Sequence, residues 1–380
     1  MDDRRDSRKS MCTNGKSIFA CGQIFRHTDR ARVAQMAKER NKFVDIIRGV
    51  AMLLVVLGHT MTGCTTGAEN TLLFNIVWSI QMPLFILISG YVTRYSRNPE
   101  NASELGKYVL RRTLAYILPW AVWSFLIRGL IFGNRLFLDI EYLLWHMDSG
   151  YWFLTTIWVI SLLFGLSHFV ASKIAKMPGV KQQLLTFVFY AAGMGFLAGI
   201  GFAAGFSFFA IKLTLYYMPF YFAGYLYGQY RDKIQAGPRG QLVTDIVIAV
   251  CLAAWVVILT RFNLYTAYDV GLSIVIRVAG SLTGCIVVCG FLKGVFCDCD
   301  KTNVVGSFFR YCGEHSLEIY IVHNLVLYML RLSPVPDVTS IQGVGLIAIN
   351  YLITISVTLI CVRLLNTSRT LKLVLFGKMK

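Results

Sequence analysis

The chain has 380 residues, of which 56% are hydrophobic and only 15% are charged. Soluble domains carry about 25% charged residues, so this composition, with its repeated apolar runs of about 20 residues, excludes an ordinary soluble domain and predicts an all-α, polytopic membrane protein. The net charge of +17 does not indicate a nucleic-acid partner, because the basic residues cluster before Phe43 and in alternate loops, where they would face an anionic lipid bilayer.

Apolar runs divide the chain into three parts. Residues 1–42 are polar and lack the apolar core of a signal peptide, so we expect a cytoplasmic extension. Residues 43–365 contain about ten predicted transmembrane helices, and residues 366–380 form a basic cytoplasmic tail. The predicted spans lie near 43–63, 71–93, 111–133, 151–171, 183–204, 206–228, 242–260, 268–292, 314–331 and 341–365. The turn within 183–228 is short, and a re-entrant pair there would change the count.

The charges of the loops orient these spans. Nineteen lysines and arginines lie in the loops and the tail on one side, whereas the opposite loops carry only Arg135, Arg261 and Arg331. Because cytoplasmic loops are enriched in basic residues, we expect a multi-pass protein of the cell membrane with both termini in the cytoplasm. The sequence carries no pattern that sets an oligomeric state.

The first span contains the ionisable residues Arg48 and His59, which are costly inside a membrane and are therefore functional candidates. Arg48 and His59 are eleven residues apart, so they face the same side of a helix, about 16 Å apart along its axis. Asp45 lies three residues before Arg48 and can pair with it. The guanidinium could bind phosphate groups of a cytosolic cofactor, and His59 could act as a general base. Alternatively, Asp45 and Arg48 form an anchoring pair and His59 is a packed, hydrogen-bonded residue.

The spacing of Arg48 and His59 resembles the signature of the acyltransferase-3 family of integral-membrane acyltransferases. Further motifs that resemble those of the family follow in order: Gln81-Met82-Pro83-Leu84-Phe85, Ser89-Gly90-Tyr91, Arg111-Arg112 with Tyr116-Ile117-Leu118-Pro119, Tyr151-Trp152-Phe153-Leu154, and Gly313 to His323 with its serine, tyrosine and histidine. The resemblance covers roughly residues 41–365, and its specificity depends on the ordered set.

This resemblance implies transfer of an acyl group, commonly acetyl, from acyl-CoA (acetyl-CoA) to a hydroxyl of a cell-envelope carbohydrate, a glycolipid or a related acceptor. His59 would be the general base or would carry the acyl group itself. Arg48 would hold the donor phosphates or stabilise the developing oxyanion. Arg111 and Arg112 would bind phosphates of coenzyme A, although anchoring at the cytoplasmic surface explains them equally.

Five residues are weaker candidates for a substrate pocket. Tyr320 and His323 are three residues apart and share a helix face; they could shape the acceptor site or bond between helices, and His323 is a second candidate base. Ser89 suits close helix packing better than catalysis. Trp152 suits an aromatic belt better than a sugar platform. Arg277 lies inside a predicted span, where it could line a polar cavity.

The cysteines do not predict a metal site. Ten cysteines are scattered along the chain, and only Cys297-Asp298-Cys299-Asp300 forms a cluster. This cluster lacks the second ligand pair of a zinc site, so we expect no metal. The alternative to an enzyme is a transporter or flippase for an amphiphilic glycan, because spans with buried charges also occur in transporters. The absence of a visible internal repeat favours the enzyme.

Overall fold

The computed structural model describes residues 42–96, 99–147, 150–175, 179–235, 237–266, 271–296, 304–330 and 335–378. Over these ranges the chain is helical, with no strand and one isolated bridge between Thr66 and Asp337. The fold is the all-α architecture that the composition predicts. Residues 1–41 of the predicted extension and the cluster from Cys297 to Asp300 lie outside the described residues.

The described ranges form the following α-helices in chain order. They are α1 Lys42–Cys64, α2 Leu72–Val92, α3 Ala102–Ala121, α4 Ile140–Trp145, α5 Trp152–Ala175, α6 Val180–Ala204, α7 Ile211–Ile234, α8 Gly237–Arg261, α9 Leu272–Val295, α10 Val304–Glu314, α11 Ser316–Met329, α12 Ile341–Leu365 and α13 Arg369–Phe376. α3 continues as a π-helix over Val122–Ile131. Pro119 lies just before this change, and proline removes a helical hydrogen bond and crowds the preceding turn.

Eight helices among the described residues are long and apolar enough to span a membrane: α1, α2, α3 with its π-helical extension, α5, α6, α8, α9 and α12. The predicted count of about ten is not confirmed. The two remaining predicted spans correspond to α7, which has 24 residues and is rich in tyrosine, and to α11, which has only 14 residues. Both segments are helical. The prediction and the structure therefore differ only in whether these helices are long and apolar enough to span a membrane.

A tight turn separates α6 from α7. Gly205, with a φ of +95°, ends α6. Phe209 and Ala210 have φ values of 52° and 53°, in the left-handed region that residues with a Cβ seldom adopt. The region 183–228 therefore contains two long helices joined by a strained connection.

Close backbone contacts at glycine residues hold α2 against α7. A Cβ atom added to Gly90 on α2 would lie 1.9 Å from the carbonyl oxygen of Tyr221 on α7. In return, a Cβ atom on Gly224 of α7 would lie 1.8 Å from the carbonyl oxygen of Leu87. The backbones approach so closely that only glycine fits, which is how small residues pack helices in membranes.

Close backbone contacts at glycine residues also hold α1 against α10. A Cβ atom on Gly49 would lie 1.8 Å from the carbonyl oxygen of Phe309, and one on Gly313 would lie 1.8 Å from the carbonyl oxygen of Asp45. The first helix, which carries Arg48 and His59, is thus held against the segment that leads into α11.

Polar contacts hold together the end of the bundle that α1 reaches at Cys64. Thr66 donates its backbone N–H to the carbonyl of Pro336 and accepts from that of Val338, at 3.0 Å each. The buried Asn75 amide donates to the Phe262 carbonyl at 2.8 Å and accepts the backbone N–H of Leu264 at 2.9 Å. These bonds satisfy backbone groups that would otherwise be costly to bury.

The C-terminal segment is packed against the bundle. Phe376 at the end of α13 is fully buried and stacks on Trp123, with ring centroids 6.2 Å apart. The Trp123 indole N–H donates to the carbonyl of Leu375 at 2.8 Å. Gly377 ends the helix with a φ of +64°, a conformation that favours glycine at this position. Part of the segment predicted as a basic tail thus belongs to the core.

Candidate active site

Two histidines from distant parts of the chain meet inside the bundle. His59 on α1 and His323 on α11 have ring centroids 5.4 Å apart, with their planes inclined by 41°. His59 lies on the face of α1 that the sequence predicts, and His323 is fully buried. The structure therefore brings the first and the second candidate base into contact.

The hydrogen bonding of His323 fixes its tautomer. Its Nδ1 atom lies 2.8 Å from the backbone carbonyl oxygen of Ile319, and because a carbonyl oxygen only accepts, Nδ1 carries the hydrogen. In the neutral ring Nε2 is then an acceptor. That Nε2 atom is buried and has no hydrogen-bond partner among the described residues. A buried neutral imidazole with an unoccupied acceptor atom can accept a hydrogen bond from a donor placed beside it.

A cluster of aromatic side chains begins at Tyr320, next to this histidine pair. Tyr320 lies 6.1 Å from His323 by ring centroids and 5.5 Å from Phe153 on α5. The Tyr320 hydroxyl accepts the backbone N–H of Phe153 at 3.4 Å. Trp152 stacks on Tyr217 of α7 at 5.5 Å with nearly parallel rings. Tyr320 therefore lies beside His323, and Trp152 packs against Tyr217 on α7.

Arg48 and Asp45 form the predicted pair at the other end of α1. Arg48 Nη1 lies 3.5 Å from a carboxylate oxygen of Asp45, and the two side chains are 29% and 20% exposed. α1 is an unbroken helix from Lys42 to Cys64, so eleven residues separate Arg48 from His59 by about 16 Å along the axis. Arg48 and His59 share a helix face but cannot touch the same atom of a substrate.

Arg111 and Arg112 differ in their surroundings. α3 begins at Ala102, so both lie well inside the helix and do not open it as predicted. Arg111 is exposed. Arg112 is held within the protein: its guanidinium lies 5.2 Å from the centroid of the Tyr108 ring and donates to the Tyr116 hydroxyl at 3.4 Å. The contacts of Arg112 with Tyr108 and Tyr116 join residues of one helix, whereas Arg111 presents its charge at the surface.

The remaining candidates, Ser89 and Arg277, make contacts other than those of the histidine pair. The Ser89 hydroxyl donates to the Phe85 carbonyl of its own helix at 2.8 Å, next to the close approach at Gly90. Arg277, in the second turn of α9, has its guanidinium 5.0 Å from the Tyr216 ring centroid. The Tyr216 hydroxyl lies 3.1 Å from the Ser281 hydroxyl. The Ser89 hydroxyl is therefore bonded within its own helix, and Arg277 takes part in a polar contact between α7 and α9.

The sequence analysis did not identify two buried polar residues as site candidates. Gln81 on α2 is only 4% exposed, and its Oε1 atom has no hydrogen-bond partner among the described residues. Glu318 on α11 is fully buried, with one carboxylate oxygen 3.3 Å from His315 Nδ1 and 2.5 Å from Lys378 Nζ. The available signal was a polar side chain inside an apolar run, the same signal that identified Arg48 and His59.

Comparison with known proteins identifies the domain that holds these residues. A family model for the acyltransferase-3 family, described as an acyltransferase domain, matches residues 41–365. This range includes the histidine pair, Gln81 and the Arg48–Asp45 pair, and it ends before α13. No curated protein and no solved structure gives a significant match. Because the family model covers most of the chain, the chain belongs to the acyltransferase-3 family and is a multi-pass membrane acyltransferase.

Proposed function

We propose that this protein transfers an acyl group, with acetyl as the first expectation, from acyl-CoA to a hydroxyl of a cell-envelope carbohydrate, a glycolipid or a related acceptor. The observation that carries the proposal is the contact between His59 and His323 within the acyltransferase domain. The choice of acetyl-CoA and of an envelope acceptor follows from the family resemblance. The protein lies in the cell membrane with both termini in the cytoplasm, as the distribution of basic residues indicates.

The histidine pair provides the proton transfer. A thioester is already activated, so the enzyme has to deprotonate the acceptor hydroxyl, orient it and stabilise a tetrahedral intermediate. His59 takes the hydroxyl proton, and His323 Nε2 beside it is a second acceptor that can hold His59 in place or share the proton. A route in which His59 carries the acyl group uses the same geometry.

The length of α1 suits the shape of the donor. The phosphates of coenzyme A and its thioester are at opposite ends of the long pantetheine arm. Arg48 lies about 16 Å along the helix axis from His59, so it binds phosphates while the thioester lies near His59. This separation assigns Arg48 to the donor phosphates and not to the oxyanion. Asp45 holds the guanidinium in place, and Arg111 adds an exposed positive charge for the nucleotide end.

This arrangement also assigns a side of the membrane to each substrate. His59 lies five residues before the end of α1 at Cys64, far from the end that carries Arg48. With the N-terminus in the cytoplasm, the donor binds from the cytoplasm and the acceptor hydroxyl reaches His59 from the opposite half of the bundle. Acyl transfer then modifies a carbohydrate that is exposed to the outside without exporting coenzyme A.

The test is acyl transfer by His59→Ala in native membranes supplied with labelled acetyl-CoA, combined with mass spectrometry of envelope glycans. We expect the variant to insert normally and the acetyl mass on the glycan to disappear. Acetylation by His59→Ala at the wild-type rate would remove His59 from the mechanism. If the wild-type protein instead changes the location of a glycan and adds no acyl group to it, the protein is a transporter and the proposed function is wrong.

A further inference from the structure

The histidine pair belongs to a closed circuit of contacts through four helices. From His59 on α1 the circuit passes to His323 on α11 and to its neighbour Tyr320. From Tyr320 it passes to Phe153 on α5 at 5.5 Å, and from Phe153 to Phe85 on α2 at 5.9 Å. α2 is therefore connected to the histidine pair through the aromatic side chains of α5 and α11.

Gln81 closes the circuit between α2 and α1. It lies one helical turn before Phe85, so both side chains share a face of α2. A Cβ atom added to Gly58 would lie 2.8 Å from Gln81 Oε1, and Gly58 immediately precedes His59. The carboxamide of Gln81 thus rests on the backbone that carries the catalytic histidine.

The carboxamide of Gln81 presents its oxygen, and not its nitrogen, to Gly58. Relative to the position of a Cβ atom on Gly58, Oε1 is the nearest atom of Gln81 and the amide carbon follows at 3.6 Å. Nε2 is therefore farther from Gly58 than either of them. Oε1 faces Gly58 and has no hydrogen-bond partner in the described part of the chain.

A buried amide whose oxygen has no hydrogen-bond partner among the described residues requires an explanation. Gln81 is 4% exposed, and burying an amide without hydrogen bonds is unfavourable. Native proteins bury few such groups, and the exceptions often have a functional role. Leu84 and Ile88 on the same helix are buried hydrophobic residues, so an apolar residue at position 81 would suit packing better than glutamine does.

None of the residues described so far stabilises the negative charge of the tetrahedral intermediate. His59 and His323 account for the proton, and Arg48 is about 16 Å from His59 along α1, too far to reach the thioester carbonyl that His59 serves. The negative charge on the carbonyl oxygen still needs a hydrogen-bond donor. A glutamine carboxamide provides N–H donors without a charge that would have to be buried in the membrane.

We propose that Gln81 is a further catalytic residue, whose Nε2–H donates a hydrogen bond to the oxyanion of the tetrahedral intermediate. This inference rests on the proposed function, because it requires an acyl thioester near His59. In this role the Nε2–H group of Gln81 has a hydrogen-bond partner on the substrate.

The step balances as follows. The acceptor hydroxyl oxygen forms a bond to the thioester carbon as its proton moves to a ring nitrogen of His59. The carbonyl π electrons move onto the carbonyl oxygen, which accepts the hydrogen bond from Gln81. The carbonyl then re-forms, the C–S bond breaks, and the leaving thiolate of coenzyme A takes the proton from His59. The products are the acyl ester and free coenzyme A.

Two substitutions test the role of the N–H donor. Gln81→Met keeps the length of the side chain and removes both polar atoms, whereas Gln81→Glu keeps the shape and the acceptor oxygens but removes the amide donor. Loss of one oxyanion donor typically lowers kcat by roughly 10²- to 10³-fold. We expect that loss in acetyl transfer from acetyl-CoA for Gln81→Met. Gln81→Glu should lose at least as much, because a carboxylate repels the oxyanion.

The matched control is Gln183→Glu on α6. Gln183 Oε1 accepts a hydrogen bond from the Tyr230 hydroxyl, and a carboxylate at this position can accept the same bond. We expect this variant to retain the wild-type kcat. Ground-state binding is measured with S-ethyl-coenzyme A, a thioether that has the donor's shape but no carbonyl oxygen. Both Gln81 variants should bind it as tightly as the wild type does.

The outcomes separate this inference from the proposed function. If the wild-type protein transfers no acetyl group from acetyl-CoA, the proposed function itself is wrong. If the wild type is active and both Gln81 variants keep its kcat, the role of Gln81 is overturned while the proposed function stands. Variants that lose kcat together with S-ethyl-coenzyme A binding or folded protein would show that Gln81 is structural, which also overturns the inference.

Discussion

Lys378 Nζ lies 2.5 Å from a carboxylate oxygen of Glu318, a side chain with no exposed surface, across 60 residues of sequence. Lys378 also donates to the backbone carbonyl of Glu314 at 3.2 Å. The C-terminal segment is thereby fastened to the start of α11, the helix that carries Tyr320 and His323. Glu314 and Glu318 lie within the range of the family match, whereas Lys378 lies beyond it.

Lys378→Ala should destabilise the protein. Removing the lysine leaves Glu318 buried with the His315 ring as its remaining side-chain contact, and a buried group that loses its partner costs about 1–3 kcal/mol. Thermal unfolding in detergent measures the loss. The control is Arg369→Ala at the exposed start of α13, which should unfold at the wild-type temperature. Equal stability of both variants would show that the contact with Glu318 contributes nothing.

His323→Ala should lower acyl transfer less than His59→Ala does, and the double variant should be no worse than His59→Ala alone. The two rings are in contact, and residues that act as a unit in catalysis are not additive. We expect losses of about 10²- to 10⁴-fold for His59→Ala, the range for general-base residues. Turnover of acetyl-CoA in native membranes gives all three rates.

The control for the histidine series is His146→Ala. Its Nδ1 atom lies 3.0 Å from the Tyr142 carbonyl within α4, away from the pair. Strictly additive losses for the two site histidines would mean that they act independently.

Gly58→Ala should lower activity by displacing Gln81. The new Cβ atom would lie 2.8 Å from Gln81 Oε1, closer than side-chain atoms normally approach, so the carboxamide must move. Gly63→Ala on the same helix is the matched control, because nothing lies within 4 Å of its added Cβ atom. Alanine in place of an unconstrained helical glycine stabilises by about 1 kcal/mol. Wild-type turnover by Gly58→Ala would argue that the position of Gln81 is unimportant.

The sequence predicts what depends on local spacing. Asp45 and Arg48 pair because residues three apart on a helix are neighbours, and the predicted face of α1 holds His59. The contact of His59 with His323 joins two helices far apart in the chain, and helical periodicity carries no information on such a pairing. The family resemblance supplied the motif around His323, but the contact itself required the fold.

The parts that the sequence did not predict have identifiable physical reasons. The predicted count of about ten spans is not confirmed for α7 and α11. Tyrosines lower the apolar character of α7, and α11 is short. α13 has eight residues in a basic segment, too few for a reliable helical pattern. The packing of Phe376 and Lys378 depends on α3 and α11, so composition alone indicated an exposed tail.

Gly90→Ala and Gly224→Ala should each prevent stable packing of α2 on α7. Their Cβ atoms would lie 1.9 and 1.8 Å from backbone carbonyl oxygens of Tyr221 and Leu87, and a backbone cannot move aside as a side chain can. We expect strongly reduced abundance of folded protein, measured by size-exclusion chromatography in detergent. Gly106→Ala on α3, with open space around its Cβ atom, should behave as wild type. Normal yield of either α2–α7 variant would show that this interface tolerates separation.

Arg111→Ala and Arg112→Ala should have different effects. Arg112 contacts Tyr108 and Tyr116, so its loss should lower stability by about 1–2 kcal/mol, in the range of a partly desolvated cation–π contact. Arg111 is exposed and should leave stability unchanged, but its loss should raise the KM for acetyl-CoA by weakening attraction to the donor phosphates. Thermal unfolding and the KM for acetyl-CoA, measured on both variants, separate the two roles. An unchanged KM for Arg111→Ala would exclude it from donor binding, and an unchanged unfolding temperature for Arg112→Ala would show that its tyrosine contacts do not hold α3 in place.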